Sequence, residues 1–216
     1  MKSKKAIIFD LDGVIVDTAK YHFIAWQKIA GELGFDFTTN DNEQLKGISR
    51  VKSLEKILNL AGKVISKDEK NRLLREKNEH YLQLISNMNE DELLPGINNL
   101  LKNLRLNNIP FALGSASKNA RRVLDTLDLT HLFSAIVDGT DVSKAKPNPE
   151  VFLIAAKKLN YHPENCIVIE DSQAGINAAN LAGMTSVGIG EAKNLKNADV
   201  LLSSTNLLNI ELLKRI

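Results

Sequence analysis

The sequence predicts an α/β protein with a doubly wound, mostly parallel, Rossmann-like sheet into which an all-helical segment is inserted. Five short apolar runs alternate with segments of helical periodicity, as in sheets with helices on both faces: residues 6–9, 110–113, 135–137, 167–169 and 186–189. Between the first two runs lies a long stretch of helical periodicity without a convincing strand. The 216 residues suffice for one domain with a sizeable insertion or for two small domains.

The first strand is predicted at residues 6–9, which are rich in β-branched and aromatic side chains and are followed by the turn residues Asp12-Gly13. A helix is predicted from Thr18 onward, with Gly34 as its C-terminal cap. This helix opens the inserted segment, because no apolar run typical of a second strand follows it directly.

The inserted segment continues with a polar stretch, residues 40–46, which predicts a loop. Helical spacing returns over residues 53–60 and again over residues 68–84. Pro95-Gly96 then restarts the sheet domain, ahead of a helix predicted over residues 97–106.

We therefore predict a sheet domain of residues 1–16 and 94–216 and a helical domain of residues 17–93. Two connections must cross between these domains, an arrangement that permits a hinge. Beyond Gly190 the sequence predicts only a closing strand and helix, without any candidate site residue.

The charge and composition exclude several classes of function. Lys and Arg number 28 against 26 Asp and Glu, so the net charge is only +2, and no long single-sign block suggests a nucleic-acid or membrane-surface partner. Gly188-Ile189-Gly190 lacks the third glycine of a dinucleotide fingerprint, since Lys193 stands there. The lone Cys166 cannot form an intramolecular disulfide and is interpreted as a small buried hydrophobe. We expect a cytoplasmic protein that acts as a monomer.

Side chains that can take part in catalysis or ligand binding follow the predicted strands. In doubly wound sheets, ligands bind beyond the carboxyl ends of the strands, so these positions form one candidate site. Its members are two acids after the first strand, a serine after the second, a late acidic pair and a lysine that opens a predicted helix: Asp10, Asp12, Ser115, Glu170, Asp171 and Lys146.

Several carboxylates at one sheet edge repel each other unless a hard cation joins them, and Mg²⁺ suits oxygen ligands of this kind. With the cation bound, Asp10 can attack phosphorus while Ser115 and Lys146 hold the other phosphate oxygens. Asp12 can then act as general acid and base. Each residue also has an ordinary structural interpretation, such as turn chemistry for the first acids or helix capping for Asp171, but the combination favours phosphoryl transfer.

These residues resemble the motifs of the haloacid-dehalogenase-like phosphotransferases, which are an acidic D-x-D loop, a strand-end Ser or Thr, a Lys and a late acidic pair. The resemblance spans the whole predicted sheet domain. It implies Asp10 as the nucleophile, Asp12 as the acid and base, and Mg²⁺ held by Asp10, the Asp12 carbonyl, Glu170 and Asp171. One departure is Gly114, where an alanine is expected before the serine.

The helical insertion resembles the cap of that family, and in detail that of its sugar-phosphate mutases. Thr18 and His22 recur with Trp26 every four residues, so they share one helix face, and the resemblance implies a hydrogen bond from His22 to Asp12. His22 could equally make a plain polar contact. The implied substrate-binding residues are Trp26, Gly47, Ile48, Ser49, Arg50, Ser53, Lys77, Ala116, Ser117, Lys118 and Asn119.

Two of these cap residues have a clear chemical rationale. Arg50 offers a planar fork suited to phosphate and Lys77 adds a point charge, although both could be solvated surface charges.

The leading hypothesis is a mutase that interconverts β-D-glucose 1-phosphate and D-glucose 6-phosphate through an aspartyl-phosphate and a 1,6-bisphosphate. The alternatives are a sugar-phosphate or phosphoglycolate-type phosphatase on the same core, and a non-catalytic binding module.

Overall fold

A computed structural model describes residues 5–216, so residues 1–4 of the predicted sheet domain lie outside it. Within this range the chain forms one six-stranded, fully parallel sheet in the order β3-β2-β1-β4-β5-β6. The strands are β1 Ala6–Phe9, β2 Phe111–Gly114, β3 Ala135–Val137, β4 Cys166–Glu170, β5 Thr185–Ile189 and β6 Val200–Leu202. The predicted fold class is confirmed, and every predicted apolar run overlaps a strand.

The α-helices of residues 5–216 fall into two groups. Four lie between β1 and β2 and make up the insertion: α1 Ala19–Glu32, α2 Thr39–Glu43, α3 Arg50–Leu60 and α4 Lys67–Ile85. Five accompany the later strands: α5 Ile97–Leu106, α6 Ala120–Thr126, α7 Glu150–Leu159, α8 Gln173–Leu181 and α9 Ile210–Arg215. None of the helices in the described range combines the length and the apolar character needed to cross a membrane.

The sheet is buried on both faces, because alternate residues of each strand point to opposite sides. Ile7 and Phe9 of β1 join one apolar cluster, whereas Ala6 and Ile8 join another. Cys166 lies in the second cluster, is buried as predicted, and has a thiol pKa that burial raises to about 11. The two clusters hold the central strands firmly, which fixes the positions of the residues that follow them.

The insertion has an apolar cluster of its own, built from α1, α3, α4 and the segment after α1. Its members include Trp26, Ile29, Phe37, Leu54 and Leu73, each of which is at most 2% exposed. A separate core of this kind allows the helices to hold their arrangement independently of the sheet.

The two connections between the sheet and the insertion run side by side. The Asp17 amide donates to the Glu92 carbonyl at 2.9 Å, and the Leu94 amide donates to the Ile15 carbonyl at 3.0 Å. The chain therefore leaves the sheet domain and returns to it at adjacent positions.

Two local predictions were wrong. Residues 40–46 are not all loop, because Thr39–Glu43 forms helix α2, which begins with a reciprocal capping box between Thr38 and Asp41. Lys146 does not open a helix either. Prolines at 147 and 149 disfavour helical geometry in the residues before them, and α7 begins only at Glu150.

Candidate active site

The strand order reverses between β1 and β4, so the carboxyl ends of these neighbouring strands flank the crevice where doubly wound sheets bind ligands. Asp10 follows β1 and Glu170 ends β4. Lys146 enters from the loop before α7, and its Nζ lies 2.5 Å from Asp10 Oδ1 and 2.8 Å from Glu170 Oε1. The three side chains form a buried charged cluster at this edge of the sheet.

Glu170 is held from several directions. Its Oε1 accepts from Lys146, and its Oε2 accepts from the Ser172 amide at 2.6 Å and from the Ser172 hydroxyl at 2.8 Å. A Cβ on Gly175 would stand 1.7 Å from Glu170 Oε1, so only glycine fits there. Both carboxylate oxygens of Glu170 are thus already engaged by protein groups.

The pKa values around this cluster reflect crowded negative charge. Burial, with the charges of Glu170, Asp12 and Asp171, raises the pKa of Asp10 against the opposing effect of Lys146. Burial and Glu170 raise the pKa of Asp171 to about 7. Burial lowers the pKa of Lys146, but the two carboxylates that it bridges outweigh this and raise it overall. A hard cation beside Asp10 and Asp171 would relieve this repulsion, so the donor chemistry fits one.

In residues 5–216 no group of three His, Cys, Asp or Glu side chains is arranged to hold a metal ion. This agrees with the engagement of Glu170, which leaves Asp10, Asp12 and Asp171 as the carboxylates of the site that face the crevice. A cation here would therefore depend on main-chain or solvent oxygens as well, as Mg²⁺ commonly does.

Asp12 is held by Thr18, the residue that precedes α1. The Thr18 hydroxyl donates to Asp12 Oδ1, whereas His22 Nε2 lies 3.7 Å from the same oxygen, too far for the direct hydrogen bond expected from the resemblance. Burial favours a higher pKa for Asp12, but His22, Thr18 and the Lys77 charge prevail and lower it.

Lys77 belongs to the buried face of α4 and is only 3% exposed, so its interpretation as a surface charge is wrong. Its Nζ lies 4.9 Å from the Trp26 ring centroid and 2.8 Å from His22 Nδ1, within hydrogen-bond range. With Nδ1 as acceptor, the neutral ring carries its proton on Nε2, the nitrogen nearer Asp12. Burial, followed by the Arg50 charge, lowers the pKa of Lys77 to about 7. Burial and Lys77 likewise lower the pKa of His22.

The loop after β2 is organised by its own side chains. The Ser115 hydroxyl accepts from the Ser117 amide at 3.1 Å, and the Ser117 hydroxyl accepts from the Asn119 amide at 3.2 Å. Asn119 Nδ2 donates to Asn78 Oδ1 of α4 at 2.8 Å, which links the loop to the insertion. Ser115 still has its own hydroxyl proton for a ligand. Behind it, the Phe152 ring would lie 2.9 Å from a Cβ on Gly114, which explains the glycine there.

A cavity of about 870 Å³ lies between the sheet edge and the insertion. The predicted site residues that line it are Asp10, Asp12, His22, Trp26, Gly47, Ile48, Ser49, Arg50, Ser53, Lys77, Ala116, Ser117, Lys118, Asn119 and Asp171. The other four, Thr18, Ser115, Lys146 and Glu170, are at most 1% exposed and lie behind the wall. The Ser53 hydroxyl donates to the Ser49 carbonyl at 3.2 Å.

Sequence reasoning missed the contacts that close the cavity. Lys46 Nζ lies 3.3 Å from Asp171 Oδ2, an ion pair between the insertion and the sheet domain. Next to it, Gly47 has a φ of +70°, and a Cβ there would lie 2.2 Å from Ser172 Oγ. The predicted tight turn at Gly47 therefore also permits a close approach of the two parts of the chain.

This chain is similar in sequence and in structure to known proteins. The family model described as "Haloacid dehalogenase-like hydrolase" matches residues 7–189. A β-phosphoglucomutase from Bacillus subtilis is 46% identical over 97% of this chain and 93% of its own length. A β-phosphoglucomutase structure from Clostridium difficile superposes with a TM-score of 0.93 at 48% identity, covering 98% of this chain and 96% of that one.

A more distant relative has a different described activity. A phosphorylated carbohydrates phosphatase from Thermotoga maritima is 30% identical over 93% of this chain and 91% of its own length. The sheet edge, the inserted helices and these similarities all agree, and the chain belongs to the haloacid dehalogenase-like hydrolase family.

Proposed function

We propose that the chain is an intramolecular phosphotransferase that interconverts β-D-glucose 1-phosphate and D-glucose 6-phosphate, the activity named for the relatives from B. subtilis and C. difficile. The observation that carries this proposal is the shared cavity. It presents Asp10 and Asp12 from the sheet domain opposite Arg50 and Lys77 from the insertion. A mutase must hold a second, non-reacting phosphate while the first reacts, and cations opposite the nucleophile suit that task.

In the proposed reaction Asp10 carries a phosphoryl group and transfers it to the 6-hydroxyl of β-glucose 1-phosphate. Asp12 takes the hydroxyl proton as the new bond to phosphorus forms and the bond to Asp10 breaks. The bisphosphate then reorients. Asp10 attacks the phosphorus of the C1 phosphate, and the bond between this phosphorus and the C1 oxygen breaks. Asp12 returns its proton to the C1 oxygen, which yields glucose 6-phosphate and the phosphorylated enzyme.

The buried cluster suits a nucleophile of this kind. Lys146 keeps Asp10 beside a fixed positive charge, and Glu170 fixes Lys146 in turn. The Ser115 hydroxyl, one residue beyond β2, can donate to a phosphate oxygen. Preorganised donors of this type stabilise charge that develops on the transferring group without further rearrangement.

Phosphomutases of this family generally use a divalent metal, and we propose Mg²⁺. Asp10, the Asp12 carbonyl and Asp171 would hold it, while Glu170 supports Lys146 instead of coordinating directly, since its oxygens are engaged. When bound, the cation would neutralise charge on the phosphoryl oxygens.

Asp12 and its neighbours supply the proton transfer. Thr18 holds the Asp12 carboxylate, and His22, which Lys77 contacts, has its Nε2 3.7 Å from Asp12 Oδ1. A small movement of the insertion could bring His22 into hydrogen-bond range and so link Asp12 to closure over the sugar.

The remaining predicted substrate contacts come from two sides. The insertion would bind the sugar and the distal phosphate through Trp26, Gly47, Ile48, Ser49, Arg50, Ser53 and Lys77, and the sheet domain through Ala116, Ser117, Lys118 and Asn119. We further propose domain limits of residues 1–16 with 94–216 and of residues 17–93, a monomer, since one chain supplies the whole cavity, and a cytoplasmic location.

Mixing the protein with Mg²⁺, β-glucose 1-phosphate and a trace of the 1,6-bisphosphate tests the proposal. Formation of glucose 6-phosphate, measured with a coupled dehydrogenase, supports a mutase, and α-glucose 1-phosphate serves as the parallel control. Release of mainly free phosphate would contradict it and favour the phosphatase alternative, the activity described for the T. maritima relative.

A further inference from the structure

Arg121 joins two segments that follow the neighbouring strands β2 and β3. It lies in the first turn of α6, just after the segment 116–119, which carries the proposed substrate contacts of the sheet domain. Its guanidinium pairs with the Asp138 carboxylate, lies 2.8 Å from Asp141 Oδ2 and donates to the Ile136 carbonyl at 3.1 Å. All three acceptors belong to β3 or to the turn 138–141 that follows it. The reaction set out above gives Arg121 no role.

Asp138 is the buried anchor of the turn 138–141. It directly follows β3 and is only 2% exposed. Its Oδ1 accepts from the Thr140 amide at 2.7 Å and from the Thr140 hydroxyl at 2.6 Å, and its Oδ2 pairs with Arg121. The Asp138 amide donates to Asp141 Oδ2 at 2.9 Å. Because a buried carboxylate needs a paired cation, the arrangement of this turn depends on Arg121.

The turn 138–141 packs directly against the segment 116–119. The Gly139 amide donates to the Ser117 carbonyl at 3.1 Å. A Cβ on Gly139 would lie 2.5 Å from the Ala116 carbonyl oxygen, so the two backbones are in close contact. Gly139, Ala116 and Ser117 also line the cavity. A shift of the turn would therefore displace backbone that carries the proposed substrate contacts.

We propose that Arg121 is a positioning residue for substrate binding: by clamping the turn 138–141, it holds Gly139 against Ser117 and fixes the segment 116–119. The inference rests on the proposed function, in which this segment binds the sugar phosphate. Arg121 itself does not line the cavity, so it acts through the turn. A binding interaction that is equally strong in the ground state and the transition state changes KM and leaves kcat unchanged. The clamp therefore sets the affinity for sugar phosphates.

Arg121→Met tests the clamp, and Arg122→Met is the matched control, because Arg122 is the next residue of α6 and is exposed. The lone tryptophan, Trp26, lines the cavity, so a change in its fluorescence can report the Kd of glucose 6-phosphate without turnover. We expect Arg121→Met to raise both Kd and KM about three- to tenfold, the effect of one net hydrogen bond, with kcat within about twofold. Arg122→Met should match the wild type. A normal Kd for Arg121→Met, or a loss confined to kcat, would overturn the inference.

A double variant shows whether Arg121 acts through the turn. Gly139→Ala disturbs the same contact directly, because the added Cβ meets the Ala116 carbonyl. Adding Arg121→Met to Gly139→Ala should then cause little further rise in Kd, whereas rises that multiply would contradict the proposal.

Two further outcomes are separable from these. If Arg121→Met is too unstable to assay, Arg121→Lys keeps a cation for Asp138 without the planar fork, and an unchanged Kd there would equally overturn the inference. Failure of the proposed function appears in the wild type, as free phosphate released in place of glucose 6-phosphate. The comparison of Kd values stays valid in that case, because it does not depend on the fate of the phosphoryl group.

Discussion

Replacement of Lys77 by methionine should stabilise the protein in a pH-dependent way. Lys77 is 3% exposed, and burial, together with the Arg50 charge, lowers its pKa from 10.5 to about 7. The unfolded chain restores the ordinary lysine pKa. Folding therefore carries a free-energy cost at every pH at which Lys77 is protonated in the unfolded chain.

The sign and the size of this cost follow from linkage. Between pH 7 and pH 10.5 the unfolded chain binds more protons at Lys77, so the free energy of unfolding rises with pH by up to about 1.4 kcal/mol per pH unit. Below about pH 7 both states are protonated and the cost stays at its maximum. Above pH 10.5 it disappears. The expected cost is about 4 kcal/mol at pH 7.5 and about 1.4 kcal/mol at pH 9.5.

Urea unfolding of the wild type and of Lys77→Met at pH 7.5, 8.5 and 9.5 measures this difference. Methionine keeps most of the aliphatic volume and removes the titrating group. We expect the variant to be more stable at pH 7.5, with the advantage narrowing as pH rises. Lys28→Met, an exposed lysine on α1, should follow the wild-type pH dependence. A variant that is less stable at pH 7.5, or whose pH profile runs parallel to the wild type, would refute this reasoning.

Four further outcomes test the site. Asp10→Asn should abolish the phosphoenzyme, because the amide is a poor nucleophile; intact-protein mass after incubation with the bisphosphate checks this, and a phosphorylated variant would exclude Asp10 as the acceptor. Asp12→Ala should retain its fold and slow kcat by roughly 10²- to 10⁴-fold or more, and wild-type turnover would remove Asp12 from the proton transfer. Arg50→Ala should raise KM and increase phosphate release to water relative to glucose 6-phosphate formed; normal values of both would leave Arg50 a surface charge. EDTA should stop turnover and added Mg²⁺ should restore it, whereas undiminished activity in the chelator would argue against a required cation.

The sheet and its catalytic edge could be predicted because their signals are local. Short β-branched runs mark buried strands, and the residues after them must meet at one edge of a parallel sheet. Asp10, Ser115 and Glu170 follow from that rule alone. Helix α2 could not be found from apolar spacing, since it is short and polar and depends on a capping box at Thr38.

The parts that escaped prediction depend on contacts between residues far apart in the chain. Nothing in the local sequence shows that Lys77 is buried between aromatic rings, because a lysine on a helix is usually solvated. The Lys46–Asp171 pair joins residues on opposite sides of the cavity. The 3.7 Å separation of His22 and Asp12 depends on how the insertion packs against the sheet domain, which the sequence pattern does not encode.

The side-by-side entry and exit of the insertion has a consequence for how activities diversify within such a family. Because Asp17 and Glu92 are hydrogen-bonded neighbours, everything between them can be lengthened, shortened or exchanged without displacing a strand. Phosphoryl-transfer chemistry can thus be inherited unchanged while the choice of acceptor varies. The adjacent connections make it geometrically feasible to build a chimaera that joins this sheet domain to the helices of a phosphatase relative.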